Sequence, residues 1–91
     1  MTSLHVEIRK FIVDNFLFGR DAGALKDDDS FLEGGIIDST GVLELVGFIE
    51  EHFGVKISDG ELLPDNLDSI DRVSNFVQRK LEASREQALH V

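Results

Sequence analysis

The chain has 91 residues, 42% of them hydrophobic, with seven phenylalanines and no cysteine. That size suits one domain with one modest core, and it excludes disulfides, thiolate metal sites and any thiol chemistry supplied by the chain itself. The formal charge of −9 is uneven, because residues 21–71 hold fourteen acidic side chains against two basic ones, while the segments before and after carry +1 and +2. Such a field repels nucleic acid and anionic membrane surfaces and steers basic protein surfaces toward it. It equally suits a solvated acidic surface kept for solubility.

The first segment, MTSLHVEIRK, lacks the apolar core of a signal peptide, and no apolar run is long enough to span a membrane. A soluble, cytoplasmic protein is expected. Residues 3–18 place Leu4, Ile8, Phe11, Ile12 and Phe16 on one face of an amphipathic helix, with Ser3 or Thr2 as its cap. Residues 19–35, GRDAGALKDDDSFLEGG, read as a long loop anchored at intervals by Leu25, Phe31, Leu32, Ile36 and Ile37. From Asp38 to Phe53 a second helix turns Val42, Leu45, Val46, Ile49 and Phe53 to the core, and Gly54 ends it as a left-handed cap.

Residues 55–68 are irregular, since Pro64 forbids a helix running through it, but PDNLD can form one short turn. Ser69 caps a last helix whose stripe is Ile70, Val73, Phe76 or Val77, and Leu81. The domain is expected over residues 1–83, with 84–91 a polar, frayed tail. Nothing alternates as a strand does. The expectation is all-α, a small four-helix bundle of three main helices plus a short one.

Catalytic constellations fail one by one. His5, His52 and His90 are far apart and lack metal-ligand spacing. Read as a calcium loop from Asp27, the KDDDS run puts Leu32 at the sixth position, where glycine is required. No glycine-rich phosphate loop and no nucleophile elbow is present, and no histidine neighbours Ser39 in sequence to serve as its base. So small a bundle leaves little room for a substrate pocket. The chain reads as a non-enzyme without a metal.

Ser39 remains, in the stretch GGIIDSTGVLELV. Taken alone, Asp38-Ser39 before an amphipathic run is an ordinary helix start. The wider stretch GGIIDSTGVLELVGFIEEHFGVKI resembles the acyl and peptidyl carrier proteins around their prosthetic-group serine. The resemblance extends upstream through NFLFG and DDDSFLE and downstream through NLDSIDRVSNFVQRKL, covering about residues 4–82.

It implies an acyl-carrier-type bundle in which Ser39 is esterified by 4′-phosphopantetheine, transferred from coenzyme A by a separate Mg²⁺-dependent phosphopantetheinyl transferase. The arm would bring the thiol that the chain lacks, and a helix N-terminus is a favourable place for a phosphodiester anion. Asp38 matches the acidic residue of the family's Asp-Ser-Leu motif and is assigned capping and transferase recognition. Thr40 stands where the family usually has a leucine that makes an apolar contact with partners, and Gly41 follows it. Thr40, Leu43, Glu44, Gly47 and Glu51 form the expected partner face of the second helix; the bland reading of its two glutamates is solvated surface.

The resulting expectation is a stand-alone, monomeric carrier that holds an acyl or aminoacyl group as a thioester. An adenylating acyl or amino acid ligase would load it, and downstream acyl-processing enzymes would use it. The many phenylalanines in the helices suggest a filled core, hence short or aminoacyl cargo. Two alternatives come from other classes: an unmodified acidic helical adaptor for a basic protein, and a hydrolase using Ser39 with a distant histidine.

Overall fold

The computed structural model describes residues 3–17 and 25–89, with side chains as far as Ala83. Four α-helices carry it: α1 (Leu4–Ile12), α2 (Ser39–Phe53), the single-turn α3 (Pro64–Leu67) and α4 (Ile70–Leu89), with no strand among the described residues. Ser3 starts α1, its side chain accepting a hydrogen bond from the Val6 amide at 3.2 Å. Ile8 and Ile12 are fully buried, while Leu4, Phe11 and Phe16 pack partly covered against the same core.

The first helix is not the unbroken run to Phe18 that the periodicity suggests. Past Ile12 the backbone widens into a π-helical turn, Val13–Leu17, and Phe18 lies outside the described residues. The wider turn re-aims Phe16, which meets Phe11 edge to face at 5.8 Å and closes on the backbone of Gly41. Asn15 steadies the turn by donating its side-chain amide to the Phe11 carbonyl at 2.9 Å.

The second helix begins where the sequence places it. Asp38 has extended backbone angles and its carboxylate accepts the Gly41 amide at 2.7 Å, satisfying a donor that the helix leaves free. Leu45 and Ile49 are fully buried, with Val42, Val46 and Phe53 partly so. Gly54 ends the helix at φ 71°, a left-handed cap whose N–H reaches the Glu50 carbonyl. Beyond it, the stretch 55–68 is more ordered than its irregular pattern suggests. It contains a tight helical turn at Asp59–Glu61 as well as α3, which opens on Pro64.

Ser69 caps α4 by accepting the Arg72 amide at 3.1 Å. Phe76 and Val77 are both buried, where the stripe had offered one or the other, because α4 packs against α1, α2 and α3 and its covered face is correspondingly wide. The α4 backbone stays helical past Ala83 to Leu89, beyond the end expected from sequence. No glycine or proline interrupts it, and Ala, Arg, Glu, Gln and Leu favour helix. His90 and Val91 lie outside the described residues, as do residues 19–24 of the long loop.

From Leu25 onward that loop is pinned at several points. Leu25, Phe31 and Ile37 are buried and Ile36 is partly so. Leu32 is not an anchor: it is 48% exposed. Its neighbour Phe31 takes the buried position, and the turn at 31–35 directs the next side chain to the surface. No helix among the described residues is long and apolar enough to cross a membrane.

Candidate functional site

Ser39 is the first residue of α2, exposed to solvent, directly after the Asp38 cap. Its hydroxyl makes no side-chain hydrogen bond among the described residues. The helix start is held instead by Asp38 and by the Gly41–Phe16 contact, so Ser39 is placed without being engaged. A hydroxyl in this position is accessible to an enclosing enzyme, and an anion esterified there would sit by the positive end of the helix.

Thr40, Leu43, Glu44, Gly47 and Glu51 are all exposed on α2, so the structure gathers the five expected face residues on the surface of that helix. Leu43 is 62% exposed, an unusual position for a large apolar side chain. It has company that sequence reasoning missed. Leu32 from the loop and Leu63 from before α3, 51% exposed, join Leu43 as rims of an apolar groove of about 300 Å³ that includes Ser39 in its lining. Phe31, Ile37, Val42, Leu62 and Leu67 complete its apolar walls. The expectation of little room for a pocket is therefore corrected: a groove opens where the three segments meet. Leu32 and Leu63 carry no local signal for it, since each reads as one more apolar residue in an irregular stretch.

The histidines divide. His52 is exposed, stacks on Phe48 at 5.0 Å between ring centres and lies 3.4 Å from Glu7. His5 places Nε2 2.9 Å from Asp71 Oδ1, and with Asp27 these groups bring three potential metal-ligand atoms within 4.8 Å of one another. That proximity crosses three elements and is invisible in sequence spacing. Arg9 already pairs with Asp27 at 2.5 Å and donates to the Leu25 carbonyl at 2.7 Å, so the cluster acts as a polar knot between α1, the loop and α4. No described histidine pairs with Ser39.

Across the groove, Glu61 anchors the segment that carries Leu62 and Leu63. Its carboxylate accepts from the Ser58 amide at 3.0 Å and from Lys80 Nζ at 2.9 Å. The Ser58 amide first, and Lys80 next, hold its carboxyl below the usual glutamate range, against a smaller upward push from burial.

Comparison with known proteins adds the deciding observation. Residues 17–77 match the family model described as "Phosphopantetheine attachment site". The chain belongs to this family. It is also 29% identical over 73 residues to the D-alanyl carrier protein of Streptococcus uberis, an alignment covering 78% of this chain and 91% of that protein. As a carrier of this family the chain is not itself the catalyst: it bears covalent 4′-phosphopantetheine, and transferases and ligases act upon it. When bound, the group supplies the terminal thiol that holds cargo as a thioester. The residues present fit it, with one exposed, unengaged serine hydroxyl at a helix N-terminus and an apolar groove alongside.

Proposed function

We propose that Ser39 is the attachment serine and that the protein presents a short aminoacyl or acyl group to partner enzymes. The observation that carries this reading is the placement of Ser39 within residues 17–77, exposed on the first turn of α2. In the modifying step Ser39 Oγ forms a bond to the β-phosphorus of coenzyme A as the bond to 3′,5′-ADP breaks. The serine proton passes to a base of the transferase, whose Mg²⁺ offsets the phosphate charge. Asp38 keeps the helix start rigid through its bond to the Gly41 amide, and presents an exposed acidic group beside the reacting hydroxyl.

A single amino acid is the favoured cargo. The S. uberis relative is named for D-alanine, and loading by an adenylating ligase fits such a group. The partner face is Thr40, Leu43, Glu44, Gly47 and Glu51 on α2, extended by Leu32 and Leu63 across the groove. Downstream acyl-processing enzymes would use the same face, as an enzyme reaching the arm must approach Ser39. In this reading the protein works in the cytoplasm as a monomer. Dependence on coenzyme A supports the compartment.

Intact-mass measurement tests the attachment. With coenzyme A, Mg²⁺ and a promiscuous phosphopantetheinyl transferase, wild type should gain one phosphopantetheine and Ser39→Ala none. Uptake by the Ser39→Ala variant would move the site elsewhere, and no uptake with several transferases would leave an unmodified acidic adaptor. Competition among D-alanine, other amino acids and short acids for the ligase then identifies the cargo.

A further inference from the structure

The groove beside Ser39 is built from segments far apart in the chain: the loop through Phe31, Leu32 and Ile37, α2 through Val42 and Leu43, and the stretch 62–67. The loop runs straight into α2, so the chain itself sets the spacing of those two walls. The third wall has no such link. Twenty-nine residues lie between Leu32 and Leu62, and the groove can keep its width only if something ties them.

Asp68, the residue after α3, makes that tie. Its Oδ2 accepts the Ser30 hydroxyl at 2.5 Å, its Oδ1 accepts the Leu32 amide at 2.9 Å, and its backbone carbonyl accepts the Phe31 amide at 2.8 Å. Three consecutive loop residues thus hang from one residue at the α3–α4 junction. Their fates differ if the carboxylate is lost. Phe31 is 1% exposed and keeps its backbone bond and its packing. Leu32 is 48% exposed, so nothing comparable holds its side chain, and its amide is left without that acceptor. Ser30, which also accepts the Glu33 amide at 3.1 Å, is released with it.

We propose that Asp68 is a positioning residue whose carboxylate clasps Ser30 and Leu32, setting the width of the groove on which the transferase that modifies Ser39 docks an apolar side chain. This rests on Ser39 being the attachment serine. The occupant follows from the geometry: Ser39 belongs to the groove lining, so an enzyme that closes on its hydroxyl must cover the Leu32, Leu43 and Leu63 rim. The clasp acts on docking rather than on the hydroxyl. Ser39 is placed by α2 and its Asp38 cap, to neither of which Asp68 hydrogen-bonds.

The test compares Asp68→Asn and Ser30→Ala with wild type in transferase kinetics and amide hydrogen exchange. Asparagine keeps the size of Asp68 but replaces one acceptor with a donor and removes the charge, so the bond its remaining oxygen can make to the Leu32 amide is the weaker, neutral kind. Alanine at position 30 removes only the hydroxyl arm. The carrier KM should rise about five- to tenfold in Asp68→Asn and about two- to threefold in Ser30→Ala, with kcat within about twofold of wild type. Exchange at the Leu32 amide should accelerate in Asp68→Asn while that at Gly41 stays at the wild-type rate. A general loss of structure would move both amides and kcat together.

An unchanged KM despite faster Leu32 exchange overturns the proposal, as does unchanged exchange or a fall in kcat alone. Should Asp68→Asn fail to fold, the KM shift in Ser30→Ala decides. Wild type taking up no phosphopantetheine overturns the attachment reading and the clasp with it. Wild type and Asp68→Asn modified with equal KM overturns the clasp alone.

Discussion

Two glycines six residues apart in α2 show how differently the same residue type is used. A Cβ at Gly41 would stand 2.8 Å from Phe16 Cε1 and 2.9 Å from Ile37 Cγ2, inside two packed side chains. At Gly47 nothing lies within 4 Å. Gly41→Ala should therefore lose about 1–3 kcal/mol to overpacking, despite the better helix propensity of alanine. Gly47→Ala should gain about 0.5–1 kcal/mol. Urea midpoints of the two variants check both signs, and equal midpoints would mean that Phe16 yields freely. The sequence shows Gly41 merely as the residue after Thr40. Its requirement is written twenty-five residues upstream, where the π-helical turn re-aims Phe16, and no local pattern connects the two. Asp38 is the opposite case: a short side chain bonding three residues ahead is legible wherever an apolar stripe follows it.

The segment between α2 and α4 makes the same point for an element. Periodicity places α1, α2 and α4 because each has an apolar stripe to bury, but the stretch 55–68 has no period. It is held by polar bonds: Ile57 N–H to Glu50 Oε2 at 2.9 Å, Asn66 Nδ2 to the Glu61 carbonyl at 3.0 Å, Arg79 to Asn66 Oδ1 at 3.1 Å, and the Glu61–Lys80 pair. Such bonds join positions up to nineteen residues apart, so composition cannot announce them. Glu61 gives this element a pH dependence. Its folded pKa lies below the unfolded one, chiefly through the Ser58 amide and then Lys80. The unfolded state consequently binds the proton more readily, and the stabilisation is complete above the ordinary glutamate range of about 4.3 and fades as pH falls through the lower folded value. Glu61→Gln should cost about 1 kcal/mol at neutral pH. Urea unfolding of both proteins across the acid range should show the gap closing below the ordinary range. A gap independent of pH would mean that size or shape at position 61, rather than charge, supports the turn.

For the whole molecule, the charge distribution and the fold serve one another. The acidic middle of the chain includes α2 and the loop before it, so the exposed Glu44 and Glu51 share a surface with Ser39 and Leu43. Neither glutamate forms an ion pair within the described residues. Their charges are therefore spared for an outside partner, and the apolar rim supplies contact area once a basic surface has been steered in. Glu44→Lys and Glu51→Lys each shift the charge by two at an exposed helical position, so the free energy of urea unfolding should stay within about 0.5 kcal/mol of wild type. The KM for transferase or ligase should rise about three- to tenfold at low ionic strength for each, mostly through slower association. That penalty should shrink as salt brings the screening length to about 8 Å. Kinetics at low and physiological salt measure both effects. A salt-independent KM equal to that of wild type in both variants would remove the α2 glutamates from docking and leave the work to the Leu32, Leu43 and Leu63 rim.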